Sequence, residues 1–243
     1  MKKKVTLTYR FVRFWVDLFF QRIDVEGQLP SEPAILISNH CQMNGPLAAE
    51  LRMPDNNRIW CAGEMMHWRE IPAYAYKDFW SYKPKWSRWF YKGLSYAIVP
   101  LASCIFNNAR TIAVYHDNRA LGAFKETVQA LQEGDHVVIF PECDEPGNHI
   151  VMGFQKSFVD VARLYWRRTG KRLSFVPMYL APRLKKWVVG QPVVYDPEAP
   201  KEQERERILK ALHEAVTALA LAQPEHTVIP YRKLPGVPYP KNK

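Results

Sequence analysis

The run Ala34-Ile35-Leu36-Ile37 is apolar and strand-prone throughout, then stops at Ser38-Asn39-His40, with Pro46 and a helix-prone segment close behind. An unbroken apolar run of this length is the signature of a strand buried on both faces, the kind found in parallel sheets covered by helices. It delivers a histidine to the carboxyl edge of the sheet, where open α/β folds bind their ligands. His136-Val137-Val138-Ile139-Phe140-Pro141-Glu142 repeats the pattern and ends in a carboxylate.

Helical and extended segments alternate around these two runs. A short helix is predicted from Pro46 to Leu51, then a strand over 58–62. Asp117-Asn118 start a helix by side-chain capping, with Leu121, Phe124, Val128 and Leu131 on one face and Gly134 as its stop. That makes a strand–helix–strand unit with a parallel crossover. The next helix carries Phe154, Phe158, Val161 and Tyr165 and ends at Gly170, followed by a strand over 173–180. Trp187-Val188-Val189 and Val193-Val194-Tyr195 read as a hairpin around Gly190-Gln191, and Ile208, Leu212, Val216 and Leu219 mark a final helix over 201–222. The expected fold is a single α/β domain with a mixed, mostly parallel central sheet flanked by helices, plus an N-terminal amphipathic helix. Its divisions are 1–27 (basic amphipathic helix), 28–222 (the α/β domain) and 223–243 (an irregular, Pro-rich basic tail).

A net charge of +10 over 243 residues asks for an anionic partner. The aromatic load, 8 Trp, 12 Tyr and 12 Phe, decides which kind. Trp and Tyr interleaved with Lys and Arg suit the head-group zone of a bilayer, and residues 64–92 are the densest such stretch. Lys2, Lys3, Lys4, Arg10 and Arg13 precede or punctuate Leu7, Phe11, Trp15 and Leu18, which recur at helical spacing as in an interfacial anchor or in an ordinary helix packed on the domain with a solvated basic end. No nucleic-acid motif accompanies the aromatics, so an anionic phospholipid surface is the expected partner and nucleic acid is not. The longest uncharged stretch, 93–109, contains Pro100 and falls short of the ~20 apolar residues of a spanning helix. Cys41, Cys61, Cys104 and Cys143 are scattered, with no signal-peptide pattern at the amino end. The expectation is reduced thiols and a cytoplasmic protein, peripheral on the inner face of the membrane.

Four blocks occur in order: Asn39-His40, then Thr111 to Asn118, then Phe140-Pro141-Glu142, then Phe175-Val176-Pro177-Met178-Tyr179. The ordered set resembles the glycerolipid (lysophospholipid) acyltransferase family, of the 1-acylglycerol-3-phosphate acyltransferase kind. The resemblance implies transfer of a fatty acyl group from acyl-CoA or acyl carrier protein to a lysophospholipid or related hydroxyl. It implies no bound cofactor; Glu142, Cys143, Asp144, Glu145 and His149, with His40 and His116, match no zinc-ligand spacing, so no metal is expected. His40 would be the general base and Glu142 would help hold the acceptor; the place of Glu142 and Asp144 at the facing strand end makes them the expected catalytic carboxylates. Asn39, Gly45, His116, Arg110, Arg119, Phe140 and Pro141 would contact substrate. The alternative is a non-catalytic lipid-binding relative.

Three positions depart from the family pattern. The family's His-x-x-x-x-Asp motif has Gly45 in place of its aspartate, Cys143 follows Glu142 where the family has glycine, and His116 stands where an arginine is expected. An acyl-transfer base needs something to orient its imidazole, and Glu142 or Asp144 at the facing strand end is expected to do so. Glu50, about 7 Å further along a helix, is too far away. Backbone N–H groups near Gly45 are the expected donors to an oxyanion. Cys41 and His40, as strand neighbours, point to opposite faces and do not form a thiol–imidazole pair.

Overall fold

The computed structural model describes residues 6–81, 83–115, 119–232 and 236–243. Strands are β1 (Asp24–Glu26), β2 (Ile35–Ser38), β3 (Asn57–Ala62), β4 (Thr111–Val114), β5 (His136–Ile139), β6 (Ser174–Ala181), β7 (Lys186–Val189) and β8 (Val193–Val194). Helices are α1 (Leu7–Phe19), α2 (Asn44–Arg52), α3 (Ile71–Ala75), α4 (Arg88–Ala97), α5 (Val99–Asn108), α6 (Ala120–Gln132), α7 (Asp160–Thr169) and α8 (Lys201–Leu221). This is a single α/β domain with a mixed, mostly parallel sheet flanked by helices. Its internal contacts gather into two compact units: Met1–Phe19 with Trp60–Ala123, and Phe20–Ile59 with Phe124–Lys243.

In the second unit the strands run in the order β1-β7-β6-β2-β5-β3. β6, β2, β5 and β3 are mutually parallel, with Ile37 opposite Ile139 on one side and Pro177 on the other. β2 is buried at all four positions, as its unbroken apolar run requires. The crossover leaving β2 reaches β3 on one side, whereas the later one from β5 reaches β6 on the other. The topological switch therefore lies at the carboxyl end of β2, directly before His40. Leu36, Val138, Val176, Met178 and Trp187 form the core with Ala48 and Ala49 of α2, each branched or aromatic side chain contributing about 1.5–3 kcal/mol on full burial. Ile208, Leu212, Val216 and Ala220 of α8 are fully buried at four-residue spacing, and that helix packs on β6.

Several local expectations are corrected. β7 and β8 do not pair with each other. Both lie antiparallel to β6, β7 beside 178–181 and β8 beside 174–175. They follow one another along the same side of β6, interrupted at Gly190, whose N–H donates to the Pro177 carbonyl, and a Gly-x-Pro break looks the same in sequence as a hairpin turn. α2 begins at Asn44, with Pro46 inside its first turn, where a missing N–H is harmless. Phe154 lies outside α7 and bridges Glu142; a short 3₁₀ turn over Ser157–Val159 precedes the helix, which Gly170 ends in a left-handed conformation. Leu121 is exposed, and α6 turns inward the smaller set Ala123, Thr127, Val128, Ala130 and Leu131. Asp117 and Asn118, expected to cap that helix, lie outside the described residues, as do Lys2, Lys3 and Lys4.

The first unit holds α1, α3, α4, α5 and β4, with the second half of β3. α1 packs on α5 and turns Tyr9 inward, while Leu7, Phe11, Phe14, Leu18 and Phe19 face outward. Tyr115 donates its hydroxyl proton to the Gly63 carbonyl at 3.2 Å, and its ring lies 2.2 Å from where a Cβ on Gly63 would sit. Only glycine fits there. No helix among the described residues is long and apolar enough to cross a membrane.

Candidate active site

β2 delivers His40 half-buried to the switch point, with its ring edge-on to Phe140 (centroids 5.3 Å apart) and to Tyr231 (5.4 Å). Its Nδ1 lies 2.6 Å from the main-chain carbonyl oxygen of Gln42. A carbonyl only accepts, so Nδ1 carries the proton, and in the neutral ring Nε2 carries the lone pair. The expected orienting group was a carboxylate at the facing strand end. The structure supplies a carbonyl two residues along instead.

That carbonyl reaches the ring because Cys41 and Gln42 are both left-handed, with φ of 49° and 57°. Two consecutive non-glycine residues in this conformation cost roughly 1–2 kcal/mol each and persist only where the surroundings hold them. Cys41 is held from both sides. Its sulfur receives a hydrogen bond from Asn39 Nδ2 at 2.9 Å, and its carbonyl accepts the Asn44 N–H at 3.1 Å and Asn44 Nδ2 at 2.9 Å. Gln42 is held by its side chain, whose Nε2 donates to the Tyr239 hydroxyl at 2.9 Å.

Gly45 closes the turn, and its N–H donates to the His40 carbonyl at 3.0 Å. A Cβ here would sit 2.4 Å from that oxygen and 2.8 Å from the Phe140 ring. The aspartate of the related motif therefore cannot stand at this position on this backbone. Of the N–H groups near Gly45 expected to face an oxyanion, those of Gly45 and Asn44 are engaged within the turn.

Glu142, on the strand end beside His40, is buried, and its two oxygens accept the N–H groups of His40 and Met152. It fixes main chain on both flanks and leaves the imidazole to Gln42. Burial pushes its carboxyl above the usual glutamate range, against the pull of those two donors. Asp144 is exposed and paired with Arg232 at 2.9 Å, a solvated ion pair rather than a support for His40.

Asn39 is also a brace: fully buried, it accepts the Leu180 N–H at 2.7 Å and donates to the Leu180 carbonyl at 3.0 Å, extending β2 along β6 by a side chain. Burial, followed by the nearby Glu142, pushes the Cys41 thiol up, so it stays protonated and a poor nucleophile. Phe140 stacks on Trp187, whose Nε1–H donates to Ser38 Oγ at 3.0 Å. The Pro141 carbonyl accepts the Gln155 N–H. Arg119 belongs to the first unit, with its guanidinium 3.6 Å from the Tyr115 ring and paired with Glu70. Arg110 belongs there too, and His116 lies outside the described residues.

Sequence reasoning missed Gln42, Tyr231 and Tyr239. The last two come from the segment expected to be an irregular tail. Among its described residues that segment has neither helix nor strand of more than an isolated bridge, yet it is fixed at several points. Asn242 is fully buried, donating to the Ala220 carbonyl at 2.8 Å and accepting the His226 N–H at 2.8 Å. His226 donates from Nδ1 to the Pro224 carbonyl and so accepts the Tyr179 hydroxyl proton at Nε2, 2.8 Å away. Beside the turn a polar hollow of about 300 Å³ is walled by Gln21, Gln42, Asn44, Pro182, Arg183, Ile229 and Tyr239.

No protein-family model matches the chain, and no curated protein matches it. Among solved structures, the 1-acyl-sn-glycerophosphate (LPA) acyltransferase PlsC from Thermotoga maritima is similar, with a TM-score of 0.48 and 13% identity. The likeness covers 90% of this chain and 83% of that one. At that identity and score it specifies neither reaction nor substrate.

Proposed function

We propose that the protein is an acyltransferase that moves a fatty acyl group from a thioester donor, acyl-CoA or acyl carrier protein, to a hydroxyl of a lysophospholipid or related acceptor. His40 Nε2 takes the proton of the acceptor hydroxyl as its oxygen attacks the thioester carbonyl. The tetrahedral intermediate collapses with loss of the C–S bond, the proton passes from His40 to the departing sulfur, and an ester and a free thiol result. The observation that carries this reading is the Nδ1–H···O=C bond to Gln42, which presents the basic nitrogen at the sheet's switch point without an aspartate. In a serine-protease triad, the wrong tautomer lowers the rate about 10⁴-fold. Here the carbonyl secures the tautomer, but being neutral it steadies the imidazolium less than a carboxylate does.

An amphiphilic acceptor places the reaction at a bilayer. The outward stripe Leu7, Phe11, Phe14 and Leu18 of α1, together with exposed Trp86, Trp89 and Phe90 among Lys85, Arg88 and Lys92, supports a peripheral contact with anionic phospholipid. The test is incubation of the purified protein with long-chain acyl-CoA or acyl carrier protein thioesters and lysophospholipids, reading ester by mass and thiol by release. Ester and thiol in equal amounts are expected. Vesicle binding without product at any donor concentration would instead identify a lipid-binding relative that has no chemistry.

A further inference from the structure

The Cys41–Gln42 turn is the support of the proposed base, and the Gln42 end of it is tied to a residue 197 positions away in sequence. Tyr239 is itself fixed, because the residues directly after it are pinned. The Pro240 carbonyl accepts the Val228 N–H at 2.9 Å, Lys241 bridges Thr227, and Asn242 is clamped to Ala220 and His226. A continuous path therefore runs from the end of α8 through Asn242 and Tyr239 to the Gln42 side chain, and through the Gln42 main chain to His40 Nδ1. We propose that Tyr239 is a positioning residue: by accepting the hydrogen bond of Gln42 Nε2, its hydroxyl holds Gln42 left-handed and so keeps the Gln42 carbonyl on the His40 ring.

Geometry favours this over a mere structural tie. Gln42 has a strained φ that no glycine relieves, and its side chain donates to the Tyr239 hydroxyl, a hold from outside the turn. Both partners are only half-buried, so losing the bond removes a tether without opening the core. The kinetic consequence rests on the acyltransfer reading; the effect on the imidazole does not.

The experiment uses full-length protein with ¹⁵N-labelled histidine rings, the His40 signals being assigned by their loss in His40→Ala. In wild type, His40 should show one protonated and one lone-pair nitrogen, with Nδ1 protonated. In Tyr239→Phe the two ring shifts should move toward each other as the second tautomer becomes populated, and kcat should fall about two- to tenfold with KM little changed, the worth of one neutral hydrogen bond. Gln42→Ala should do the same from the other end of the bond, and adding Tyr239→Phe to it should have no further effect. Gln42→Gly, which tolerates the left-handed turn without a tether, should restore the single tautomer in the Tyr239→Phe background. Unchanged ring shifts in both Tyr239→Phe and Gln42→Ala would overturn the proposal, as would additive losses in the double variant. If His40→Ala keeps full turnover, the acyltransfer reading fails, while the ring shifts still decide the tether.

Discussion

A histidine held by a carboxylate and one held by a carbonyl share a tautomer and differ in charge. In this site the substitution follows from Gly45, since a side chain there meets the His40 carbonyl. Gly45→Ala should therefore destabilise by about 1–3 kcal/mol, read as a melting point lower by about 2–4 °C per kcal/mol. Gly45→Asp should do no better and should not raise turnover, contrary to what motif repair alone would forecast. Two buried groups give opposite pH signatures. His136, whose Nδ1 accepts the Ala34 N–H, has its pKa lowered from 6.5 by burial, with Asp135 opposing. A lowered folded value means fewer protons bound in the native state, so this contribution is present above pH 6.5 and lost as pH falls through the lowered value. Glu142 runs the other way: raised above 4.5, it binds more protons when native, so its contribution is present below 4.5 and lost as pH rises through the raised value. Melting curves between pH 4 and 8 should show wild type gaining on Glu142→Gln as pH falls through that interval and losing ground to His136→Gln below neutrality.

At the scale of elements, the segment after α8 is what a reading of composition undervalues. Asn242 has a fully buried amide bonded to main chain on both sides, so Asn242→Ala leaves the His226 N–H and the Ala220 carbonyl without that partner, at about 1–3 kcal/mol. Limited proteolysis should then cut within 226–243 in the variant before it cuts wild type. α1 is the opposite case, an element whose apolar residues the fold leaves outside. Replacing Phe11, Phe14 and Leu18 with Ser should barely change the melt, because they are already exposed. The same change should sharply weaken co-sedimentation with anionic vesicles. Binding should fall with added salt, each basic residue near the surface being worth about 1 kcal/mol. Binding equal on zwitterionic vesicles and unmoved by salt would remove the bilayer from the account.

Across the whole molecule, legibility tracked how local the cause was. β2, β5, β6 and α8 were readable because burial on both faces and a four-residue apolar stripe are written in consecutive residues. β1 was not, being three residues long, two of them acidic, and held by pairing with β7. His40 and Glu142 stood out as polar ends of apolar runs, but their division of labour did not. A carbonyl in a left-handed turn leaves no trace in residue type, and the Tyr239 contact joins residues that no spacing rule connects. The account turns on His40 as the base. The most direct test is single-turnover acyl transfer from a radiolabelled long-chain thioester to lysophospholipid, comparing wild type with His40→Ala at matched melting temperature and vesicle binding. The account predicts labelled ester in wild type and a rate lower by at least 10²-fold in the variant; equal rates in the two proteins would contradict it.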